Sequence, residues 1–383
     1  MKIICISHWR IPSEKTMAPY MMRVAEAFAK EGNEVEFWIP RRRNALKVLD
    51  PFEYHLIERN FRLRYLPVID LMGVVPGRIS FLLMLASFTI SVFFFALFQS
   101  RKSFFYFFDL RDAWLVLLLS RRAFCEIHMY YKSSLDVVNR WGFARMRGII
   151  AATKPLRAEI QRQYGVPQDK ILHAPCGVNS ERFALDLSRE DARRALGLPQ
   201  DGRFIFYIGH LFPVKGVDVL FDVHPLLAPG EVLYFIGGTD EDITRYRKKW
   251  EAAGAPKNIV IVGRKPHQEI PTWLRAADIL TIPNTARDPA GSIESSPSKL
   301  MEYMASGRPI VASDVPAIRD VLDSSMGYFA EPDSPQAIAA QVHAIFTDPT
   351  LAEKKARAAR AFASTDLNWS ARACNIMHFI EQR

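Results

Sequence analysis

Cysteine is scarce in this 383-residue chain: there are four, Cys5, Cys125, Cys176 and Cys374, far apart, with no C-x-x-C pair and no ligand-like histidine beside them. That spacing argues against a disulfide framework and a zinc site. It predicts four reduced, buried, structural thiols in a cytoplasmic protein. A secretory leader is also lacking, because Met1-Lys2 is followed by the short "IICIS" and then polar residues rather than by a long apolar stretch and a cleavage site. The protein is therefore expected inside the cell. Zinc-finger spacing, an aromatic RNP-type strand motif and a long basic helix are all missing, so nucleic acid is not an expected partner. No short-period repeat is present.

What is present begins with length, which suits about two domains of ordinary size. Lys and Arg exceed Asp and Glu by 50 to 41, a formal charge of +9, and part of the excess is clustered at Arg41-Arg42-Arg43, Arg62 and Arg64, Arg101-Lys102 and Arg121-Arg122. Such clusters attract polyanions, among them anionic lipid and phosphorylated sugars. One stretch, Ile79 to Phe98, "ISFLLMLASFTISVFFFALF", carries no charge and has Arg78 before it and Arg101-Lys102 after it. About 20 apolar residues are enough to cross a bilayer. Ser80, Met84, Ser87 and Ser91 fall on one helical stripe that would press closely onto a neighbouring element. Three readings stand: a monotopic helix on an anionic membrane surface with Phe81, Phe88 and Phe95 entering the acyl boundary, a buried domain helix, or a true span.

The remaining pattern alternates strand and helix. "MKIICIS" is followed by a loop, a helix with Pro19 in its first turn, Gly32 past its end and Met21, Val24, Ala25 and Phe28 inside, and the strand "EVEFWIP". After the apolar stretch come "FFYFF", an apolar helix from Ala113 to Leu119, "AFCEI" ending near His128, and "GIIAAT". Residues 184–203 are polar and turn-rich. Alternation then restarts at "RFIFYIG", runs through "EVLYFIGG", "IVIVG", "ILTIP", "PIVAS" and "GYFAE", and ends in a helical tail anchored by Trp369. Two doubly wound α/β domains with parallel sheets follow, and ligands are expected beyond the carboxyl ends of the strands.

Several candidate residues stand at such ends. In "GSIESSPSKLMEYMASGRPIVASD", Pro297-Ser298-Lys299 opens a helix with Leu300, Met301, Met304 and Ala305 inside, and its amino end invites an anion. Glu302, one turn in, is placed to accept two ribose hydroxyls, and Glu294 precedes the helix. A capped surface helix with a spare glutamate is the plainer reading. "YIGHLFPVKGVDVL" sets Gly209 and His210 after a strand and Lys215 at the start of the next helix, where its ammonium would neutralise a diphosphate. The backbone of Arg264, Lys265 and Pro266 is placed to read a base edge.

This ordered series resembles the nucleotide half of the GT-B retaining glycosyltransferases of sequence family 4. The resemblance implies two Rossmann-like domains facing a cleft, with an acceptor domain at 1–183, a nucleotide-sugar domain at 184–365, and a carboxy-terminal helix at 366–383 packing back on the first. It gives Glu294 and Glu302, the family's E-x7-E pair, to the donor sugar and the ribose. Lys215, with His210, goes to the diphosphate, and His128 in "CEIH" meets the donor sugar. "IPSEKTMAPYMMRVAEAFAKEGNEVEFWIPRRRN" looks like the opening of bacterial members that build surface polysaccharides, and "YGVPQDKILHAPCGVNSERF" resembles the end of the acceptor domain. A UDP- or GDP-sugar donor, a glycan or lipid-linked acceptor, and no cofactor or metal are implied. So is a front-face reaction in which the leaving phosphate takes the acceptor proton.

The chain departs from the family at His210, which occupies a position usually held by Arg and makes that charge titratable. The usual glycine pair of the first loop is replaced by "RIPSEKTMA", which points acceptor recognition to Ser13, Lys15 and Thr16. Asp240-Glu241-Asp242 has the form of a D-x-D metal motif, yet it opens a helix, where first-turn acids suit the dipole. Arg287 and Asp288 receive no role. A nucleotide-sugar epimerase and a non-catalytic membrane-associated scaffold of the same fold are the competing expectations.

Overall fold

The structure, a computed structural model, describes residues 1–46, 48–119, 122–129, 136–294 and 298–383, without the side chain of Glu294; Arg121 and Pro297 thus lie outside the described residues. Strands β1 (Lys2–Ile6), β2 (Glu34–Pro40), β3 (Arg62–Leu66), β4 (Phe104–Phe107), β5 (Ala123–Ile127), β6 (Gly148–Ala151) and β7 (Ile171–His173) form one sheet in the order β3-β2-β1-β4-β5-β6-β7. Strands β8 (Arg203–Ile208), β9 (Glu231–Ile236), β10 (Ile259–Gly263), β11 (Ile279–Ile282), β12 (Ile310–Ser313) and β13 (Tyr328–Ala330) form the other, in the order β10-β9-β8-β11-β12-β13. Every pairing is parallel. Both sheets are doubly wound, as the alternation requires.

Contacts divide the chain into Met1–Ala174 with Trp369–Arg383, and Pro175–Asn368. The boundary thus falls before Pro175 rather than after Phe183. Val178 N–H donates to Leu367 O, and the Ser180 hydroxyl donates to Ala363 O, which ties this segment to the second unit. The last helix, Trp369–Glu381, belongs to the first unit.

Alternation of side chains across β1 decides what covers each face of the first sheet. Ile4 and Ile6 pack with Met84, Phe88 and Val92, whereas Ile3 and Cys5 pack with Met21, Phe28, Ile376 and Ile380. One face therefore carries the helix Gly77–Leu97, and the other carries the helices Met17–Lys30 and Trp369–Glu381. Met21, Val24, Ala25 and Phe28 are buried as the pattern predicts. Two expectations fail. Cys374 is exposed on the outer side of the last helix. The apolar stretch 113–119 forms no α-helix, because Asp109 caps a short 3-10 turn, Leu110–Asp112, and a second such turn spans Val116–Leu118. The tail is helical as expected, with Pro335–Thr347 and Pro349–Thr365 divided at Asp348, whose side chain caps the second.

The uncharged stretch folds as the helix Gly77–Leu97, long and apolar enough to cross a bilayer by length and composition. It is docked along one stripe: Ser80, Met84, Phe88, Val92 and Ala96 are buried four residues apart. Ser87 accepts from Ile69 N–H at 2.9 Å and Ser91 donates to Pro67 O at 2.6 Å, which fastens the loop after β3. The assignment of Phe81, Phe88 and Phe95 to a membrane is corrected, since Phe88 is 0% exposed and the other two pack against the core. The outward stripe is Ile79, Leu82, Leu83, Ile90, Phe94 and Leu97, with Phe98 just beyond at 86% exposed.

Candidate functional site

In a doubly wound sheet, loops diverge where the strand order reverses, leaving a crevice beyond the carboxyl ends. In the second sheet that point lies between β8 and β11. The loop leaving β8 ends in a 3-10 turn, Pro213–Lys215, followed by Gly216 at φ 67° and the short helix Val217–Phe221. Lys215 thus closes this turn and does not open a helix. A Cβ on Gly216 would lie 1.6 Å from Pro283 O, the residue after β11, so only glycine lets the two loops meet.

The helix Ser298–Ser306 is pinned to the same place by a residue that the sequence reading missed. The Tyr303 hydroxyl accepts from Ile208 N–H at 2.8 Å and donates to Ile208 O at 3.2 Å, so it clamps the helix to the last residue of β8. Lys299, on the same helix, donates from Nζ to the Tyr207 hydroxyl at 2.7 Å, and Tyr207 donates to His210 O at 2.6 Å. A Cβ on Gly209 would stand 3.1 Å from that ammonium. Gly209, His210, Lys299 and Glu302 are therefore brought together by one tyrosine pair.

The ionisable groups at this point are shifted by burial and by one another. Burial and then the charge of Lys215 push the Lys299 pKa well down, with Glu302 opposing, and burial lowers that of Lys215. Burial raises Glu302 to about 7 against the pull of Arg182 and Lys299. Partial burial, then Lys299, lowers the pKa of His210; Arg264 and Lys215 add to this and Asp242 opposes it. The His210 ring stacks on Phe212 at 4.9 Å. Buried cations of reduced basicity, gathered where a sheet's strand order reverses, mark a candidate functional site.

The loop Arg264-Lys265-Pro266 follows β10, and Lys265 Nζ lies 5.6 Å from the Trp273 ring centroid. Ser298 is the first residue of its helix and is exposed. The backbone of Glu294 ends a π-helical turn, Ala290–Glu294, a form often found at functional sites. Asp288 shapes that turn: its side chain accepts from Ala290 N–H at 2.8 Å and its carbonyl from Gly291 N–H. Arg287 Nε lies 3.6 Å from Asp333 Oδ2. Asp242 forms a capping box with Thr239 and also receives Arg245 at 3.1 Å, so its carboxylate is committed to the helix end.

In the first unit, His128 directly follows β5, with Nε2 2.8 Å from Glu126 Oε1. Glu126, wholly buried, also receives Arg372 at 2.6 Å and the hydroxyls of Tyr20 and Tyr106. Burial alone would raise this carboxyl; Arg372 and His128 instead hold it at about 2. Of the candidate acceptor residues, Lys15 and Thr16 are exposed, whereas Ser13 is buried and its hydroxyl accepts from Lys15 N–H at 3.3 Å. Ser13 shapes the loop.

Two family descriptions match the chain: Glycosyltransferase Family 4 over residues 17–182 and Glycosyl transferases group 1 over residues 188–362. A D-inositol 3-phosphate glycosyltransferase of Streptomyces avermitilis is 29% identical over 227 residues, 56% of this chain and 47% of that protein. A phosphatidyl-myo-inositol mannosyltransferase of Mycobacterium tuberculosis is 30% identical over 216 residues, 54% of this chain and 53% of its own length. The chain thus spans about half the length of these curated relatives. Among solved structures, Anabaena Alr3699/HepE in complex with UDP superposes with a TM-score of 0.77 over 100% of both chains at 15% identity, a likeness of fold.

Proposed function

Because the chain belongs to the group 1, family 4 glycosyltransferases, we propose that it transfers a sugar from a nucleotide diphosphate donor to a glycan or lipid-linked glycan acceptor, with retention and without a metal. The observation that carries this reading is the pair Lys215 and Lys299, held at lowered basicity beside Glu302 where the order of the second sheet reverses. Breaking the bond between the anomeric carbon and the diphosphate oxygen leaves negative charge on the diphosphate. Preorganised cations stabilise that charge without rearranging. Lys215 and Lys299 meet the diphosphate, Glu302 accepts the ribose hydroxyls, and the backbone of Arg264 to Pro266 meets the base of a UDP- or GDP-sugar. Glu294 and His128 hold the donor sugar. The leaving oxygen receives the acceptor proton on the face from which it departs.

The outward stripe of the helix Gly77–Leu97, flanked by Arg78, Arg101 and Lys102, supports a place on the anionic inner face of the cell membrane. Such a position brings the enzyme to a lipid-linked acceptor. The test is a screen of UDP- and GDP-sugars for acceptor-dependent release of nucleotide diphosphate, repeated in excess EDTA, with the product's anomeric configuration read by NMR. Release that survives chelation, with retention, is the expected result. Conversion of the donor into another nucleotide sugar without acceptor, or loss of transfer in EDTA, would overturn it.

A further inference from the structure

The first unit holds another buried charge pair, which the chemistry above does not use. His8 follows β1, and Asp112 ends the turn after β4, so the two meet where the order of the first sheet reverses. His8 Nδ1 lies 2.9 and 3.0 Å from the two Asp112 oxygens, and the main-chain N–H of His8 donates to Asp112 Oδ2 at 3.0 Å. Both residues are buried. A buried ionic pair is a poor means of holding two loops, since well-packed apolar residues do as well without the desolvation cost. Nε2 of His8 has no hydrogen-bond partner among the described residues. Burial alone would lower the imidazole pKa, but Asp112 and Asp109 raise it against the opposing charge of Arg111, which favours the cation.

The surroundings of the pair are half polar and half aromatic. The His8 ring stands 6.2 Å from that of Trp9, with Lys15 Nζ 5.9 Å from the Trp9 centroid. On its other side, Phe81 meets His8 edge-on at 5.7 Å and the Arg111 guanidinium at 5.8 Å. Phe81 belongs to the helix whose outward stripe is apolar and exposed. An imidazole fixed by a carboxyl group is thus joined, through one aromatic ring, to a surface suited to an alkyl chain.

We propose that His8, oriented by Asp112 and assisted by Lys15, binds the phosphate-bearing head of an amphiphilic acceptor whose tail runs along the helix Gly77–Leu97. This rests on the lipid-linked acceptor proposed above, and it can be tested without donor or turnover. Isothermal titration would compare decyl phosphate below its micelle concentration with inorganic phosphate and with decyl maltoside. Decyl phosphate is expected to bind at least tenfold more tightly than either. His8→Gln is expected to lose about tenfold or more of that affinity and Lys15→Gln a few-fold. A thermal shift with a nucleotide diphosphate checks that each variant is folded, and Lys15, being exposed, keeps the test open should His8→Gln unfold. Unchanged affinity in the folded variants would overturn the proposal. Equal binding of decyl maltoside would remove the anionic head, and equal binding of inorganic phosphate would remove the lipid source. A wild type that binds decyl phosphate as expected, yet releases nucleotide from no donor, would support this site and sink the glycosyl transfer.

Discussion

The carboxyl ends of the two sheets solve opposite electrostatic problems. In the first, buried Glu126 is closed by its partners Arg372 and His128. In the second, burial and then Lys215 lower the basicity of Lys299, burial lowers that of Lys215, and Glu302, which opposes the shift of Lys299, titrates at about 7. The Glu126 network is complete as folded. The second end is suited to an anion, because a diphosphate would favour the charged form of both lysines and offset the cost of their burial. A closed network reads as architecture, and a gathering of buried cations as a candidate binding site.

Breaking the closed side should cost most. Glu126→Ala leaves the Arg372 guanidinium buried without its carboxylate, and a loss of about 3–5 kcal/mol in unfolding free energy is expected by denaturant titration. A loss below about 1 kcal/mol would mean that the network is not closed in the sense argued. On the open side, Lys215→Ala should leave stability nearly unchanged, yet reduce turnover about a hundredfold or more, about 2.7 kcal/mol of transition-state stabilisation. Turnover like that of the wild type would take Lys215 out of the reaction.

The gentlest test sharpens the contrast through pH. A hydroxyl is best accepted by an ionised carboxyl, and Glu302 titrates at about 7, so nucleotide affinity should rise with pH and level off above that value. Below it, the fall approaches about tenfold per pH unit, as expected when binding requires a single deprotonation. Protonation of His210, whose pKa is lowered, acts with the opposite sign and strengthens diphosphate binding in acid. Glu302→Gln should abolish the rise and leave the histidine's contribution. In the free protein, the raised Glu302 pKa means that stability falls as pH climbs from the ordinary carboxylate range through about 7.

Much of this was legible in the sequence because it lies in local patterns. Runs such as "KIICI" and "RFIFYI" announced parallel strands buried on both faces, and Gly209, Lys215 and Glu302 stood out by following strands or opening a helix. What stayed hidden depends on distant pairing. Tyr303 clamps β8 from 95 residues away, and Arg372 reaches Glu126 across 246. No spacing rule announces either. Glu126 was in plain view within "CEIH", where a charged residue inside a continuous apolar strand is itself a signal that a buried partner must exist. The uncharged helix was misread in its orientation because all its faces are apolar; only packing chose Phe88 for the interior and Phe94 for the outside.

The return of Trp369–Glu381 to the first unit also sets a timetable for biogenesis. Residues 175–368 form a unit that is contiguous in the chain, so it has all its parts as soon as they clear the ribosome. The earlier-made unit does not. Its β5 carries Glu126 inward from the start, but the arginine that neutralises it is translated 246 residues later. The amino-terminal sheet must wait, partly assembled, until the younger unit has been made and the last helix arrives to lock the older one.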